Sequence, residues 1–139
     1  MRGIARRLEK TGPTGETHAE TKERAELRAV ISAIDYQIWT AQGFVRVVIA
    51  ADSSYVVDGV TEGVKDWQQN GWVKEDGTAV ENKDLWQKLL LQINRNDGME
   101  VYFWCITPQQ NAVTIREAEV ATEQEKQVGR WTRYWGSCF

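Results

Sequence analysis

Two acidic residues lie where their side chains could do chemistry. Asp52 directly follows the β-branched, apolar run 44–51 and precedes Ser53, a residue type that favours the start of a helix. Glu26 lies on the border of the apolar stripe of a predicted helix. Ligand sites of α/β sheets gather at the carboxyl ends of strands, and two carboxylates there could hold Mg²⁺. Each residue also has a structural interpretation, Asp52 as a helix N-cap and Glu26 as a charge that complements the helix dipole.

The elements that would position these carboxylates follow an α/β pattern. Apolar residues at three-to-four spacing predict a first helix over 23–41, with Thr21 as its N-cap and Gly43 at its end. Further helices are predicted over 54–70, bent near Gly59 and Gly63, and over 82–96 and 115–127. The runs 44–51 and 99–106 are nearly all apolar and predict two strands buried on both faces. Helical crossovers between two such strands favour a parallel pair.

Composition narrows the class of protein. The 139 residues carry a net charge of −3 and a pI near 5.3, which disfavours nucleic-acid binding through bulk positive charge. One histidine and two cysteines argue against His-rich metal sites and a disulfide framework. No apolar run reaches the length of a membrane span, and the amino terminus lacks a secretory signal pattern. We therefore expect an intracellular protein, cytoplasmic or nuclear, without membrane contact.

Several strings around the two acids are similar to one known family. Residues 24–30 (RAELRAV) resemble the first-helix motif of type 1 ribonuclease H, and residues 49–57 (IAADSSYVV) resemble its second acidic motif, on the central strand. Residues 67–86 are similar to the helix-loop-helix substrate-binding region, and residues 101–104 to the last strand. The resemblance covers roughly residues 7–121 and is closest to fungal-type members.

The resemblance implies an RNase H-like mixed sheet flanked by helices and an endonuclease that cuts RNA in RNA/DNA hybrids. In that family four carboxylates hold two Mg²⁺ (or Mn²⁺) ions that activate water and stabilise the leaving oxygen. Glu26 and Asp52 match two of the four and are the predicted catalytic and metal-binding residues. The predicted substrate-binding residues are Thr21, Arg24, Ser53, Trp72, Asn82 and Trp86.

The chain departs from the family pattern at the other two carboxylates. The first belongs to a strand upstream of Glu26, yet residues 1–25 contain no Asp, and residues 5–10 resemble the third strand. We therefore expect an N-terminally truncated, diverged member that lacks the first two strands. The last carboxylate, counted from Asn111, corresponds to Ile115. Lys22 and Glu23 replace the family's base-contacting asparagines. Because two of the four metal-binding carboxylates are missing, we expect impaired or lost catalysis.

The predicted organisation is an N-terminal arm (1–22), an RNase H-like domain (23–127) and an aromatic tail (128–139). The tail could be disordered, could bind single-stranded nucleic acid through its cations and aromatics, or could cover an open sheet edge. Two further functions stay open: an active ribonuclease H completed by a second protomer or another chain, and a non-catalytic domain that binds protein through that edge. Cys105 and five tryptophans are predicted to lie in the core; these are Trp39, Trp67, Trp72, Trp86 and Trp104.

Overall fold

The structure, a computed structural model, describes residues 5–124 and 127–132. Two strands alternate with helices along the chain. The elements are α1 (Lys22–Asp35), a 3₁₀ turn (Trp39–Gln42), β1 (Arg46–Ala51), α2 (Ser54–Asp58), a π turn (Gly59–Gly63), α3 (Val64–Gln69), α4 (Lys83–Arg95), β2 (Glu100–Cys105) and α5 (Ala112–Gln124). This order confirms the predicted α/β class.

Helix α1 begins as predicted and ends early. The Thr21 hydroxyl accepts a hydrogen bond from the backbone N–H of Arg24 (3.2 Å), so Thr21 is the N-cap. The helix stops at Asp35 rather than at residue 41, and the Trp39 indole donates to the carbonyl of Ala33 (3.2 Å) near its end. Ile38 is exposed, so the apolar stripe leaves the core before the predicted end. The helix ends where burial of that stripe ends.

The predicted bend at two glycines is confirmed. The helical run 54–69 is regular at both ends, but its centre is a π turn from Gly59 to Gly63. A Cβ on Gly59 would lie 2.2 Å from the ring of Trp86, which is fully buried. Glycine is therefore required here so that α2 can approach α4 closely.

The two strands pair in parallel, as predicted, but only one face of the sheet is buried. The register places Val48 beside Tyr102 and Ala50 beside Trp104. Trp104 is 61% exposed and Cys105 is also exposed, so their assignment to the core is wrong. In the described part of the chain no helix covers this face, and the prediction of strands buried on both faces is therefore wrong.

The core lies on the other side of the sheet, between helices. It is formed by one face of α1 and α4 together with α2 and the loop residue Val80, and the inner sheet residues Ile49, Val101 and Phe103 pack against it. Its buried members are Leu27, Val30, Ile31, Ile34, Val56, Val80, Leu85, Trp86 and Leu89. The stripes predicted on α1 and α4 therefore pack against each other.

The N-terminal arm is held by contacts rather than by a sheet. Residues 5–10 do not form the predicted strand; the arm has one isolated antiparallel bridge, Thr11 to Thr17. Strand geometry needs a laddered neighbour, and the described residues provide none at 5–10. Instead the buried carboxylate of Glu9 accepts hydrogen bonds from Arg28 on α1 (2.7–3.1 Å).

The described part of the predicted tail packs on the arm and not on the sheet edge. The N–H of Lys10 donates to the carbonyl of Val128 (3.1 Å), and the Thr11 hydroxyl donates to the carbonyl of Gly129 (2.9 Å). The Trp131 ring lies 4.0 Å from the guanidinium carbon of Arg28. Residues 133–139, which hold the tail's remaining aromatics, lie outside the described residues.

Candidate active site

A pocket of about 170 Å³ brings the two predicted acids together at the carboxyl end of β1. Strand β1 ends at Ala51, so Asp52 is the first residue after the strand. Glu26 reaches the same pocket from α1, and Ser53 and Tyr55 line it from the start of α2. Strand, α1 and α2 therefore converge on one small acidic cavity.

Ser53 fixes Glu26 while it also caps α2. Its hydroxyl accepts from the backbone N–H of Val56 (3.3 Å) and donates to Oε2 of Glu26 (2.5 Å). The other Glu26 oxygen lies 3.7 Å from the ammonium of Lys22, one turn earlier on α1. Ser53 is buried, and its hydroxyl therefore holds the Glu26 carboxylate in place.

Asp52 is held by a residue that lies far from it in the sequence. The amide of Asn111 donates to Oδ1 of Asp52 (2.8 Å), and Asn111 precedes α5. Helix α5 starts at Ala112, three residues before the predicted start, so Ile115 lies in its first turn. The match of Ile115 to the family's last carboxylate stays a prediction.

These residues do not fit a pair of metal ions. Among residues 5–124 and 127–132, no three His, Cys, Asp or Glu side chains are grouped so that they could hold one ion. Glu23 also lines the pocket, but the ammonium of Lys22 offsets part of the negative charge beside Glu26. Two carboxylates can hold one Mg²⁺ together with waters, but a pair of ions needs further oxygen ligands that these two side chains do not supply.

The predicted substrate-binding residues Arg24 and Asn82 belong to a second cluster next to the pocket. Arg24 donates from Nη1 to Oδ1 of Asn82 (3.2 Å), and Asn82 donates from Nδ2 to the hydroxyl of Tyr55 (3.0 Å). Both guanidinium ends of Arg24 also donate to the carboxylate of Asp84 (2.8 and 2.9 Å). The Arg24 charge is thus paired inside the protein.

The Arg24–Asp84 pair is nearly buried, with side-chain exposures of 6% and 10%. Burial raises the pKa of Asp84, but the hydrogen bonds and charge of Arg24, and then His18, outweigh it and hold that pKa below 3.8. His18, the one histidine of the chain, places Nε2 3.4 Å from Oδ2 of Asp84. Gly12 lets the arm approach, since a Cβ there would lie 2.3 Å from the same carboxylate.

The two tryptophans of the predicted substrate set are packing residues in this structure. Trp86 is fully buried, and Trp72 is half-buried against the same core. Trp67 connects them, with ring centroids 5.3 Å from Trp86 and 6.1 Å from Trp72. Any effect of Trp86 on a substrate would therefore act through its neighbours.

Sequence reasoning missed two residues of the site. Tyr55 lies three positions after Asp52 in the first turn of α2, a spacing that returns a helical side chain toward the same end of the strand. Asn111 was used only to count toward Ile115, and no local pattern indicates its bond to Asp52 because the two are far apart in sequence.

The sequence and the fold are similar to those of one family of known proteins. The RNase H family model matches residues 3–107. Ribonuclease H of Zymomonas mobilis is 36% identical over 84 residues, which are 60% of this chain and 51% of that protein. Ribonuclease H of Thermoanaerobacter sp. strain X514 is 42% identical over 77 residues, 55% of this chain and 46% of that protein.

A solved structure shows the same fold. A crystal structure of a type 1 RNase H with the type 2 active-site motif superposes with a TM-score of 0.64 at 34% identity, covering 78% of this chain and 51% of that one. The chain spans about half the length of the curated relatives it matches. The relatives named here are bacterial, and the fungal-type assignment stays a prediction. None of the described helices has the length and apolar composition needed to cross a membrane.

Proposed function

Because the chain belongs to the RNase H family, we propose that it binds RNA/DNA hybrids and that, by itself, it cleaves them weakly or not at all. One observation carries the second half of the proposal: Glu26 and Asp52 share a pocket, and among the described residues no third carboxylate, including Glu23 at the same pocket, is grouped with them closely enough to hold a metal ion. Members of the family generally use a divalent metal, whose chemistry is water activation.

The contacts of the two acids support this proposal. One oxygen of each carboxylate accepts a hydrogen bond, from Ser53 to Glu26 and from Asn111 to Asp52, and these bonds tie both side chains to the protein. Lys22 adds a cation at the rim of the pocket, and this charge repels divalent ions while it attracts phosphate. The three carboxylates of the pocket still outnumber Lys22, so a phosphate would contact the pocket at its Lys22 rim.

The expected binding is weak and only modestly salt-dependent. Arg24 and Arg28 are neutralised by Asp84 and Glu9, and the whole chain carries a net charge of −3. These two arginines are then less able to displace counterions from phosphates, so we expect a shallow slope of log affinity against log salt.

Fluorescence anisotropy with a labelled RNA/DNA hybrid tests this proposal, with duplex DNA of the same sequence as the control. We expect hybrid to bind more tightly than duplex DNA, and Lys22→Ala to weaken binding of both by a few-fold. Equal absence of binding to both nucleic acids at high protein concentration would contradict the proposed function.

A second candidate is an active enzyme completed by another chain. The exposed sheet face favours it, because Val48, Tyr102 and Trp104 are large apolar side chains that are about half or more exposed. In a parallel pair each strand directs half of its backbone groups outward, so β1 offers an edge to which a further strand can pair. A strand added there would lie beside Asp52 and could bring a carboxylate to it.

Sedimentation combined with cleavage assays distinguishes the second candidate. The second candidate predicts that the chain self-associates or binds an added strand peptide. Mg²⁺-dependent cleavage should then rise with the fraction of chain that has bound its partner, and Val48→Lys should abolish this cleavage. A monomer at all concentrations, without cleavage, would rule it out in favour of the first proposal.

A further inference from the structure

Asn82 is a helix-capping residue whose side chain does not cap. It precedes α4 with a left-handed backbone (φ 56°, ψ 28°), and its carbonyl accepts from the N–H groups of Leu85 and Trp86 (2.9 and 3.0 Å). Asparagine tolerates this conformation, and its short side chain usually bonds to the first turn of the helix. Here that bond is absent, and the amide turns toward α1 and α2.

The amide of Asn82 has only one possible orientation. A guanidinium has donors and no acceptor, so the group facing Arg24 must be Oδ1, at 3.2 Å. The nitrogen Nδ2 then faces the hydroxyl of Tyr55, at 3.0 Å. Arg24 cannot turn away freely, since Asp84 holds both of its guanidinium ends.

Tyr55 is well placed to hold the other side of this amide. Its ring packs on Trp86, with centroids 5.6 Å apart, and Trp86 is fully buried in the core. Tyr55 also lines the pocket that contains Glu26 and Asp52. One rigid aromatic residue thus connects the acidic pocket with Asn82.

We infer that Tyr55 is a positioning residue that orients Asn82 for binding the nucleic-acid backbone, an inference that rests on the proposed hybrid binding. The amide nitrogen has two hydrogens, and Tyr55 takes one, which leaves the other for a phosphate oxygen. The Tyr55 oxygen accepts from Asn82 and so keeps its own proton to donate. The pair therefore forms a two-donor site for an acceptor such as a phosphodiester oxygen.

The test compares Tyr55→Phe with a matched control, Tyr102→Phe, in the full chain. Tyr102 is exposed on the open sheet face, and phenylalanine at position 55 keeps the ring contact with Trp86. We expect Tyr55→Phe to weaken hybrid binding by roughly 2- to 10-fold, the net effect of one hydrogen bond, and to lower the melting temperature only slightly because the ring packing is kept. Tyr102→Phe should bind like the unmodified chain.

A nuclear magnetic resonance measurement separates positioning from general weakening. The side-chain amide signals of Asn82, assigned by their loss in Asn82→Gly, should shift and broaden in Tyr55→Phe even without nucleic acid. Glycine suits the left-handed backbone, so this variant is expected to fold.

Two results distinguish the inference from the proposed function. If Asn82→Gly weakens hybrid binding while Tyr55→Phe changes neither affinity nor the amide signals, the inference is wrong and hybrid binding stands. If the unmodified chain binds no hybrid, the proposed function is wrong and the inference falls with it.

Discussion

At the residue scale, local rules decide where the chemistry is placed. Asp52 lies at the strand end and Ser53 caps the next helix, and both positions follow from the order of residue types along the chain. The bonds that restrain these side chains come from distant residues, as in Asn111 to Asp52 and Arg24 to Asp84. Such pairs cannot be derived from local pattern.

Replacing Asp84 with Asn is predicted to destabilise the fold by about 3 kcal/mol or more at neutral pH, since Arg24 is left buried without its counter-charge. The pKa of Asp84 is lowered in the folded state, so its stabilisation is present above pH 3.8 and is lost as the pH falls through the lower folded value. Urea unfolding between pH 7 and pH 2 measures both effects.

The exposed Asp97→Asn variant is the control for this prediction. We expect it to keep the acid dependence of the unmodified chain, whereas Asp84→Asn should flatten the dependence below pH 4. Equal pH profiles for the two variants would show that the Arg24–Asp84 pair does not contribute as argued.

At the element scale, periodicity predicted most helices and both strands, and the errors have a common cause. The ends of α4 and β2 lie within one residue of their predicted positions, and the parallel pairing is confirmed. The run 44–51 was interpreted as buried on both faces because nearly every residue is apolar, but burial depends on what the rest of the chain places against it. Helix α1 also ends earlier than predicted because nothing in the described chain buries its apolar stripe as far as Ile38.

Gly59→Ala is predicted to destabilise the protein by about 1–3 kcal/mol, although alanine is the better helix former. The new Cβ would lie 2.2 Å from the ring of Trp86, which packs in the core and cannot move. Chemical denaturation measures the change.

Gly63→Ala provides a comparison within the same π turn. Its Cβ would lie 2.8 Å from the ring of Trp67, which is only half-buried and can yield. A smaller loss is therefore expected for Gly63→Ala than for Gly59→Ala, and the reverse order would contradict the packing argument.

At the scale of the whole molecule, the two ends of the described chain are held together on α1. Arg28 donates to Glu9 of the arm and to the carbonyl of Thr132, and the Trp131 ring stacks on its guanidinium. The sequence shows cations and aromatics in the tail but not that they pack on the arm, because the contacts are more than 100 residues apart.

Trp131→Ala is predicted to destabilise the fold by roughly 2–3 kcal/mol through lost packing and cation–π contact. The amide of Lys10, which donates to Val128, should exchange its hydrogen faster than in the unmodified chain. Hydrogen exchange followed by mass spectrometry of the arm measures this directly.

Trp104→Ala is the matched control, since the same side chain is removed from the exposed sheet face. We expect it to cost under about 1 kcal/mol and to leave the arm's exchange unchanged. If the two variants behave alike, residues 127–132 do not stabilise the arm.

We propose that this RNase H family chain binds hybrid but lacks the ligands for cleavage by itself. Single-turnover cleavage of RNA in a labelled hybrid tests it most directly, with the chain in excess at a concentration where binding is saturated and with Mg²⁺ or Mn²⁺ present. We predict no more product from the unmodified chain than from Asp52→Asn. Robust cleavage that disappears in Asp52→Asn would contradict the account.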